Sequence, residues 1–367
     1  MQFEKLLKTI IIIVFSLTVG CNNKNLEKEV HLYYDKIHLA EIFIVHEKYD
    51  SALVAYETAF LCYDSPWGLD YYNALLCSAK IGKYNRAVQL VDSCIKRGIS
   101  IDYLKNDYLN LLNDYFSTTS FLSHYDSLHN AYLTSFDTTV INTFELSIKN
   151  DQKLVSNVNN PADYYDLILA NVDTLEMIIK NKKIPHYPYK YQQYPRMDNL
   201  PWITLRHYFG LRNSIRNQLI DKDRFERYYN MKRFYDNKFE ELIKKQIQLG
   251  IVNPVMLSST IIYNHKHNNM YGERGYVRIR DDLFVKNVSQ KSIEKISKNR
   301  NDILLEDFND YRTKYKYLQD ISDSIGAIPR GMFRFRVNHH CVTHLAKKDS
   351  TREFLVEEFK QKGYVKL

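Results

Sequence analysis

The residues best suited to metal chemistry are the histidines and the cysteine of the stretch from His339 and His340 through Cys341 to His344. Imidazole nitrogen and thiolate sulfur are preferred zinc ligands, and a structural zinc site needs three or four of them. His340 and His344 would share a face only if this stretch were helical. The preceding alternation of Phe333–Val337 predicts a strand instead. We therefore interpret these histidines as polar surface residues and predict no metal site.

Catalytic motifs are lacking in the rest of the sequence. It contains no Gly-x-Ser-x-Gly turn for a nucleophilic serine and no glycine-rich phosphate loop. Carboxylates such as Glu41 and Asp70 fall on amphipathic helical segments, where we expect them to face water. The sequence predicts no catalytic residue and no cofactor, and it favours a non-enzymatic protein.

Cys21 follows the one segment that points to a covalent modification. Lys5 and Lys8 precede the apolar run of residues 10–17, and Gly20 stands immediately before Cys21. A basic start, a short apolar run and a small residue before the cut make a secretory signal. The run is too short to cross a bilayer comfortably, which disfavours the alternative of an uncleaved anchor helix.

Residues 17–21 resemble the lipobox, the motif read by lipoprotein signal peptidase, although Thr18 stands where Leu is usual. The resemblance implies cleavage after Gly20 and lipidation of Cys21. Each buried CH₂ of an acyl chain contributes about 0.8 kcal/mol to membrane binding. Asn22 in place of Asp disfavours inner-membrane retention. We expect a lipid-anchored protein on the periplasmic or cell-surface face, with the outer membrane favoured over the inner.

Four further cysteines are present: Cys62, Cys77, Cys94 and Cys341. A secreted chain can form disulfides. The first three fall on apolar helical faces, where cysteine behaves as a small hydrophobic residue. We expect no essential disulfide.

The composition predicts a mainly α fold. Hydrophobic residues make up 45% of the 367 residues and charged residues 26%, as in globular proteins. Only 11 Gly and 8 Pro are present, too few for the many turns of sandwiches and barrels. The net charge of +8 is spread along the chain and suits a nearby anionic membrane rather than nucleic acid. The 30 tyrosines reflect either compositional bias or a tyrosine-lined groove.

An internal repeat lies within residues 30–136. The segment Lys48–Ala52 recurs as Lys83–Ala87, and helical apolar spacing surrounds each copy. The pattern resembles the tetratricopeptide repeat, with Gly82 in the turn of the second copy and Glu47 in its place in the first. The resemblance implies paired antiparallel helices whose concave face binds peptides or proteins. A third, degenerate unit, with helices predicted over 104–115 and 121–132, would cap the stack.

The sequence of residues 145–320 predicts a second helical domain with at most a small hairpin near 276–285. Helices are expected over 164–180, 205–219 and 225–249. The segment resembles a bacterial domain of uncharacterised function, whose pattern opens with Asp-Gln and later contains Tyr-Gly-Thr-Gln. Asp151-Gln152 matches the opening, His207 occupies the histidine position, Tyr271-Gly272 matches half of the later motif, and residues 300–303 match the closing segment.

The departures from this pattern bear on activity. Arg206-His207-Tyr208-Phe209 lacks the carboxylate of the family motif, and Glu273-Arg274 replaces its Thr-Gln. The resemblance therefore implies a diverged, non-catalytic member, and the family itself supplies no activity.

We predict a signal peptide (1–20), a tether (21–29), the repeats (30–136), the helical domain (145–320) and a C-terminal extension (321–367). The expected function is that of a membrane-anchored interaction or scaffold lipoprotein with a protein or peptide partner in the envelope. The repeats could also be only a spacer. The alternative is a diverged enzyme acting on an envelope substrate, which would require a cleft gathering Asp151, His207 and Tyr271.

Overall fold

Helices dominate this protein. The computed structural model describes residues 25–135, 139, 142–143, 146, 149–150, 161–181, 208, 238–255, 257–258, 276–279, 282–325, 333, 335, 342–344 and 349–366. The predicted mainly α fold is confirmed. Within the described residues, no helix is long and apolar enough to cross a membrane.

The first part of the chain is a series of helices packed in chain order. They are α1 (residues 25–45), α2 (Tyr49–Cys62), α3 (Gly68–Lys80) and α4 (Tyr84–Lys96), then α5 (Ile101–Leu104), a 3-10 segment (Asp107–Leu112), α6 (Asn113–Ser117) and α7 (Thr119–Thr134). Helix α2 packs on α3, α3 on α4, and α4 on α7. Ala52 and Ala87 are fully buried, as close helix approach requires.

The two turns of the internal repeat have equivalent hydrogen bonds. The Lys48 N–H donates to the carbonyl of Phe43 at 2.8 Å, and the Lys83 N–H donates to that of Ser78 at 2.9 Å. Gly82 has a φ of 71°, and Glu47 adopts 57° at the matching position, a region that costs a residue with a Cβ about 1–2 kcal/mol. The two turns thus share one geometry, while the tetratricopeptide resemblance stays a prediction.

The single helix expected over 104–115 is wrong, because the segment is broken at Asn106. The Asn106 side chain accepts from the backbone N–H of Tyr108 at 2.9 Å and donates to the carbonyl of Tyr103 at 2.8 Å. Such local side-chain bonds compete with helical backbone bonds. Three short helical pieces replace the helix, whereas α7 covers the second predicted span.

The second part of the chain combines helices with a small sheet. Its helices are α8 (Pro161–Lys180), α9 (Lys238–Gln248), α10 (Gln290–Asn301), α11 (Phe308–Ile325) and α12 (Asp349–Gln361). Its strands are β1 (Tyr276–Ile279), β2 (Asp282–Lys286), β3 (Val342–His344) and β4 (Tyr364–Lys366), in the order β3-β1-β2-β4. β1 and β2 form the expected hairpin; β3 joins it parallel to β1, and β4 joins it antiparallel to β2.

The strand predicted over 333–337 is not found at the described positions, Phe333 and Phe335, and β3 lies further along the chain. The alternation has another cause, since both phenylalanines are buried. Phe333 stacks on Tyr49 with ring centroids 5.7 Å apart, and Phe335 packs against Tyr317 at 5.6 Å. The period of two therefore reflects two side chains packed into the core.

One hydrophobic core runs through both parts of the chain. Its largest side chains include many tyrosines: Tyr33, Tyr34, Tyr56, Tyr72, Tyr208, Tyr311 and Tyr315 are among the largest fully buried residues. These tyrosines are core residues rather than the lining of an open groove. A smaller cluster joins Phe284 of β2 to α12.

Candidate functional site

One face of α1 carries polar side chains into the interior. Tyr34, His38 and Glu41 are four and three residues apart, so they lie along one side of the helix. Tyr34 and Glu41 are buried, and His38 is nearly so. Apolar neighbours on the same side, including Ile37 and Ile44, continue the core. We call this the inner face of α1.

The turn between α10 and α11 positions the first pair of opposite charges. Leu304 adopts a φ of 58°, and the Leu305 N–H donates to the carbonyl of Arg300 at 2.9 Å. The chain therefore folds back, so that Nε of Arg300 donates to the backbone carbonyl of Glu306 at 2.8 Å and Nη2 contacts its Oε1 at 3.1 Å. The guanidinium of Arg300 also lies 4.2 Å from the ring centre of Tyr311, a cation–π contact.

Lys314, two turns into α11, joins this pair to α1. Its Nζ lies 2.5 Å from Oε2 of Glu41 and 3.1 Å from Oε1 of Glu306. His38 lies on the other side, with Nδ1 3.4 Å from Oε2 of Glu306 and Nε2 3.1 Å from the carbonyl of Leu304. His38, Glu41, Arg300, Glu306 and Lys314 form what we call the buried charge cluster.

The charges of this cluster balance, because two carboxylates face one ammonium and one guanidinium, with His38 beside them. Burial by itself would raise the pKa of Glu306, but the positive charges of Lys314 and Arg300, helped by His38, outweigh it and lower the pKa to about 2. Glu306 is therefore ionised at neutral pH. A buried charge is tolerated only with such partners.

A second polar group continues from α1 toward α3. The Tyr33 hydroxyl donates to the carboxylate of Asp70 and accepts from the backbone N–H of Trp67 at 3.0 Å. The indole N–H of Trp67 donates to the Tyr34 hydroxyl at 2.9 Å, and the Tyr34 ring stacks on His38 with centroids 6.1 Å apart. Hydrogen bonds and ring contacts thus connect Asp70 to the buried charge cluster.

The prediction that Glu41 and Asp70 face water is wrong, because both residues are fully buried. One sequence signal could have revealed Glu41: it lies four residues after Ile37 and three before Ile44, within the apolar stripe of α1. Its carboxylate is buried because Lys314 reaches it. Nothing local to α1 reveals that partner.

Four side chains of the buried charge cluster have almost no access to solvent. The side chains of Glu41, Arg300 and Lys314 have no exposed surface, and that of Glu306 has 1%. General acid or base catalysis requires a group within hydrogen-bonding reach of a substrate proton. These four side chains have almost no such access, and their contacts hold α1, α10 and α11 together.

Other contacts also join the repeats to the second part of the chain. The Tyr63 hydroxyl, at the end of α2, donates to the carbonyl of Gly250 at 3.3 Å. A Cβ added at Gly250 would lie 3.2 Å from Cγ2 of Val30 and would also meet the Tyr63 hydroxyl. Together with the contact of Tyr49 with Phe333, these neighbours cover the inner face of α1 and its surroundings with the chain's own residues.

No family model, no curated protein and no solved structure matches this chain.

The opposite side of α1 is open. A groove of about 400 Å³ runs between α1 and α2. It is lined by Lys36, Leu39, Phe43, Asp50, Ser51, Val54, Ala55 and Thr58. We call this surface the outer groove.

Most of the sequence-predicted site residues lie outside the described part of the chain. They are Cys21, Asp151, His207, Tyr271, His339, His340 and Cys341. His344 lies in β3, opposite Ile279 of β1. Across the described ranges, no group of three or more His, Cys, Asp or Glu side chains could hold a metal ion. The described cysteines, Cys62, Cys77 and Cys94, are thiols.

Proposed function

We propose that this protein is a lipid-anchored scaffold of the cell envelope. Its repeats carry the second part of the chain on their inner face and leave their outer face for a protein partner. The observation that carries the proposal is the buried contact of Lys314 with Glu41 and Glu306. It ties a helix of the repeats to a helix of the second part.

The covered inner face favours a scaffold over a peptide receptor of the usual repeat type. A receptor needs reachable side chains on its binding face, and here the inner face of α1 is buried against the same chain. Separating the two parts would expose the apolar core that they share, which is costly. The repeats therefore fix the position of the second part.

The lipid anchor is supported by the sequence of residues 5–21. Helix α1 already includes residue 25, four positions beyond Cys21. Four extended residues span at most about 14 Å. A lipid on Cys21 would therefore keep α1, and with it the second part of the chain, close to the membrane surface.

The anchor is tested with the full chain and its Cys21→Ser variant in a bacterium that processes lipoproteins. Metabolic labelling with an alkyne fatty acid and membrane fractionation are the measurements. We expect the wild-type chain to take up label and to sediment with membranes, and the variant to do neither. An unlabelled wild-type chain would overturn the anchor.

The scaffold is tested by hydrogen exchange of the full chain at increasing denaturant, read by mass spectrometry. We expect peptides from α1 and α11 to become exchangeable at the same denaturant concentration, because neither helix can open alone. If α11 opens well before α1, the two parts are not one unit and the scaffold proposal is wrong. Deleting the repeats would not replace this experiment, because the deletion also removes Glu41, a partner of Lys314.

A further inference from the structure

The outer face of the first helix pair carries two apolar stripes. Leu32 and Leu39 lie seven residues apart on α1, and Val54 and Leu61 lie seven apart on α2. Their side chains are 42%, 43%, 58% and 90% exposed, respectively. Residues seven apart lie on one side of a helix, two turns from each other. The exposed apolar residues thus form two adjacent rows with the outer groove between them.

This face lies at the exposed end of the series of packed helices. Helix α2 uses its opposite side against α3, and α3 and α4 pack on in the same order. The first pair of a helical stack presents to solvent a face that inner pairs bury against a neighbour. Apolar side chains at heptad spacing beside a groove suit the ridge of another helix.

The outer groove carries one charged side chain of each sign, which makes it complementary to a second copy of itself. Lys36 lines it from α1 and Asp50 lines it from α2. In a twofold interface between identical chains, each contact occurs twice. If one residue of the first copy contacts a second residue of the other copy, the same two residues also meet with the copies exchanged. Two copies facing each other can therefore bring each Lys36 to the other copy's Asp50. The contact of Asp50 with Lys83 is 3.3 Å and exposed, so it competes only weakly.

A flat bilayer fits this surface less well. The surface is concave, and it holds a cation and an anion that hydrocarbon would not satisfy. The same helix pair of a second copy offers an apolar ridge and a charge of each sign.

We infer that the outer groove binds a second copy of this chain, through a twofold contact of the two α1–α2 pairs. The inference deepens the proposed function by identifying the partner of the outer face as the protein itself. It does not require the lipid on Cys21.

The first test is cysteine cross-linking of the full-length chain in membranes with a short bismaleimide. Leu39→Cys and Val54→Cys should each give a cross-linked dimer. Leu122→Cys is the matched control, because Leu122 is 40% exposed on α7, away from the groove. The wild-type chain measures the background from its native thiols, including half-buried Cys62.

The second test exchanges the charges. Lys36→Asp places two carboxylates opposite each other, and we expect about tenfold weaker self-association by light scattering of the purified full chain. Adding Asp50→Lys to the same chain should restore the dimer, because the reversed pair is again complementary. A partner other than a second copy would not be restored by this exchange.

The inference is overturned if Leu39→Cys and Val54→Cys react with a monofunctional maleimide yet give no more dimer than Leu122→Cys. It is also overturned if the Lys36→Asp/Asp50→Lys double variant is folded but monomeric. Membrane fractionation of the same samples separates the two proposals: lost dimer with retained membrane binding refutes only the second copy, and lost membrane binding with retained dimer refutes only the anchor.

Discussion

The ammonium of Lys314 lies 2.5 Å from a carboxylate oxygen of Glu41, and 273 positions of sequence separate the two residues. Both side chains are fully buried. Burial of either charge depends on opposite charges nearby, because removing an ion from water costs several kcal/mol. This pair therefore makes the position of α11 depend on that of α1.

Replacing one member of this pair should destabilise the protein strongly. We expect Lys314→Met to lower the free energy of unfolding by about 3–5 kcal/mol, because it leaves the Glu41 carboxylate buried without its ammonium. Denaturant unfolding followed by circular dichroism is the measurement. Lys316→Met is the matched control, since Lys316 lies on the same helix in an exposed pair with Asp320, and it should change stability by about 0.5 kcal/mol or less.

The double variant Glu41→Met/Lys314→Met isolates the coupling. Apolar replacements of a buried ion pair are often far less costly than the loss of one partner. We expect the double variant to be more stable than the sum of the two single losses predicts. Simple additivity would contradict a direct interaction between the two side chains.

Stability should fall in acid through Glu306. Its pKa is lowered from an ordinary value of 4.5 to about 2, because Lys314 and Arg300 outweigh the effect of burial. As the pH falls below about 4.5, the unfolded chain takes up a proton at this position that the folded chain does not. The stabilisation is complete above that pH and is lost as the pH falls toward 2.

The measurement is the free energy of unfolding between about pH 7 and about pH 3. Glu306→Gln should be less stable at neutral pH and show a flatter acid profile. Asp310 should affect the acid profile in the opposite direction. Burial and nearby Asp307 raise its pKa, so as the pH falls the folded state binds this proton before the unfolded state does. Asp310→Asn should therefore steepen the acid loss. Parallel profiles for both variants would refute this assignment.

Two glycines with the same backbone conformation should respond differently to alanine. Gly82 and Gly250 have φ values of 71° and 73°, but a Cβ at Gly82 meets nothing within 4 Å, while one at Gly250 lies 2.7 Å from Cζ of Tyr63. We expect Gly82→Ala to cost about 1 kcal/mol for the backbone alone, and Gly250→Ala about 3 kcal/mol, because overpacking adds to it. Equal losses in denaturant unfolding would mean that Gly250 is not packed against the repeats.

The described cysteines should differ in reactivity. Burial raises the pKa of the Cys77 and Cys94 thiols, so little reactive thiolate forms, and neither sulfur is accessible. Cys62 is half-buried near the end of α2. We expect maleimide to modify Cys62 well before the other two in the native chain, as read by peptide mass spectrometry. Comparable rates in concentrated guanidinium chloride are the control; comparable rates in the native chain would contradict the burial.

Much of the local structure could be predicted from the sequence. Apolar spacing predicted the helix pair around Lys48–Ala52 and its copy at Lys83–Ala87, because helical hydrogen bonds join residues close in sequence. The hairpin near 276–285 was also predicted, and its two strands are likewise close in sequence. Prediction failed at Asn106, where a side-chain bond outcompeted the helix, and at Phe333, where alternation reflected burial rather than a strand.

The sequence by itself thus determined the helix pair of each repeat copy, the turns at Glu47 and Gly82, and the hairpin near 276–285. It did not determine that Glu41 would be buried, because a carboxylate on an amphipathic helix normally faces water. Only the tertiary structure decided this, by bringing Lys314 and Glu306 to the inner face of α1. The physical reason is that helix formation depends on neighbours within a few residues, whereas burial of a charge depends on an opposite charge that only the folding of the whole chain supplies.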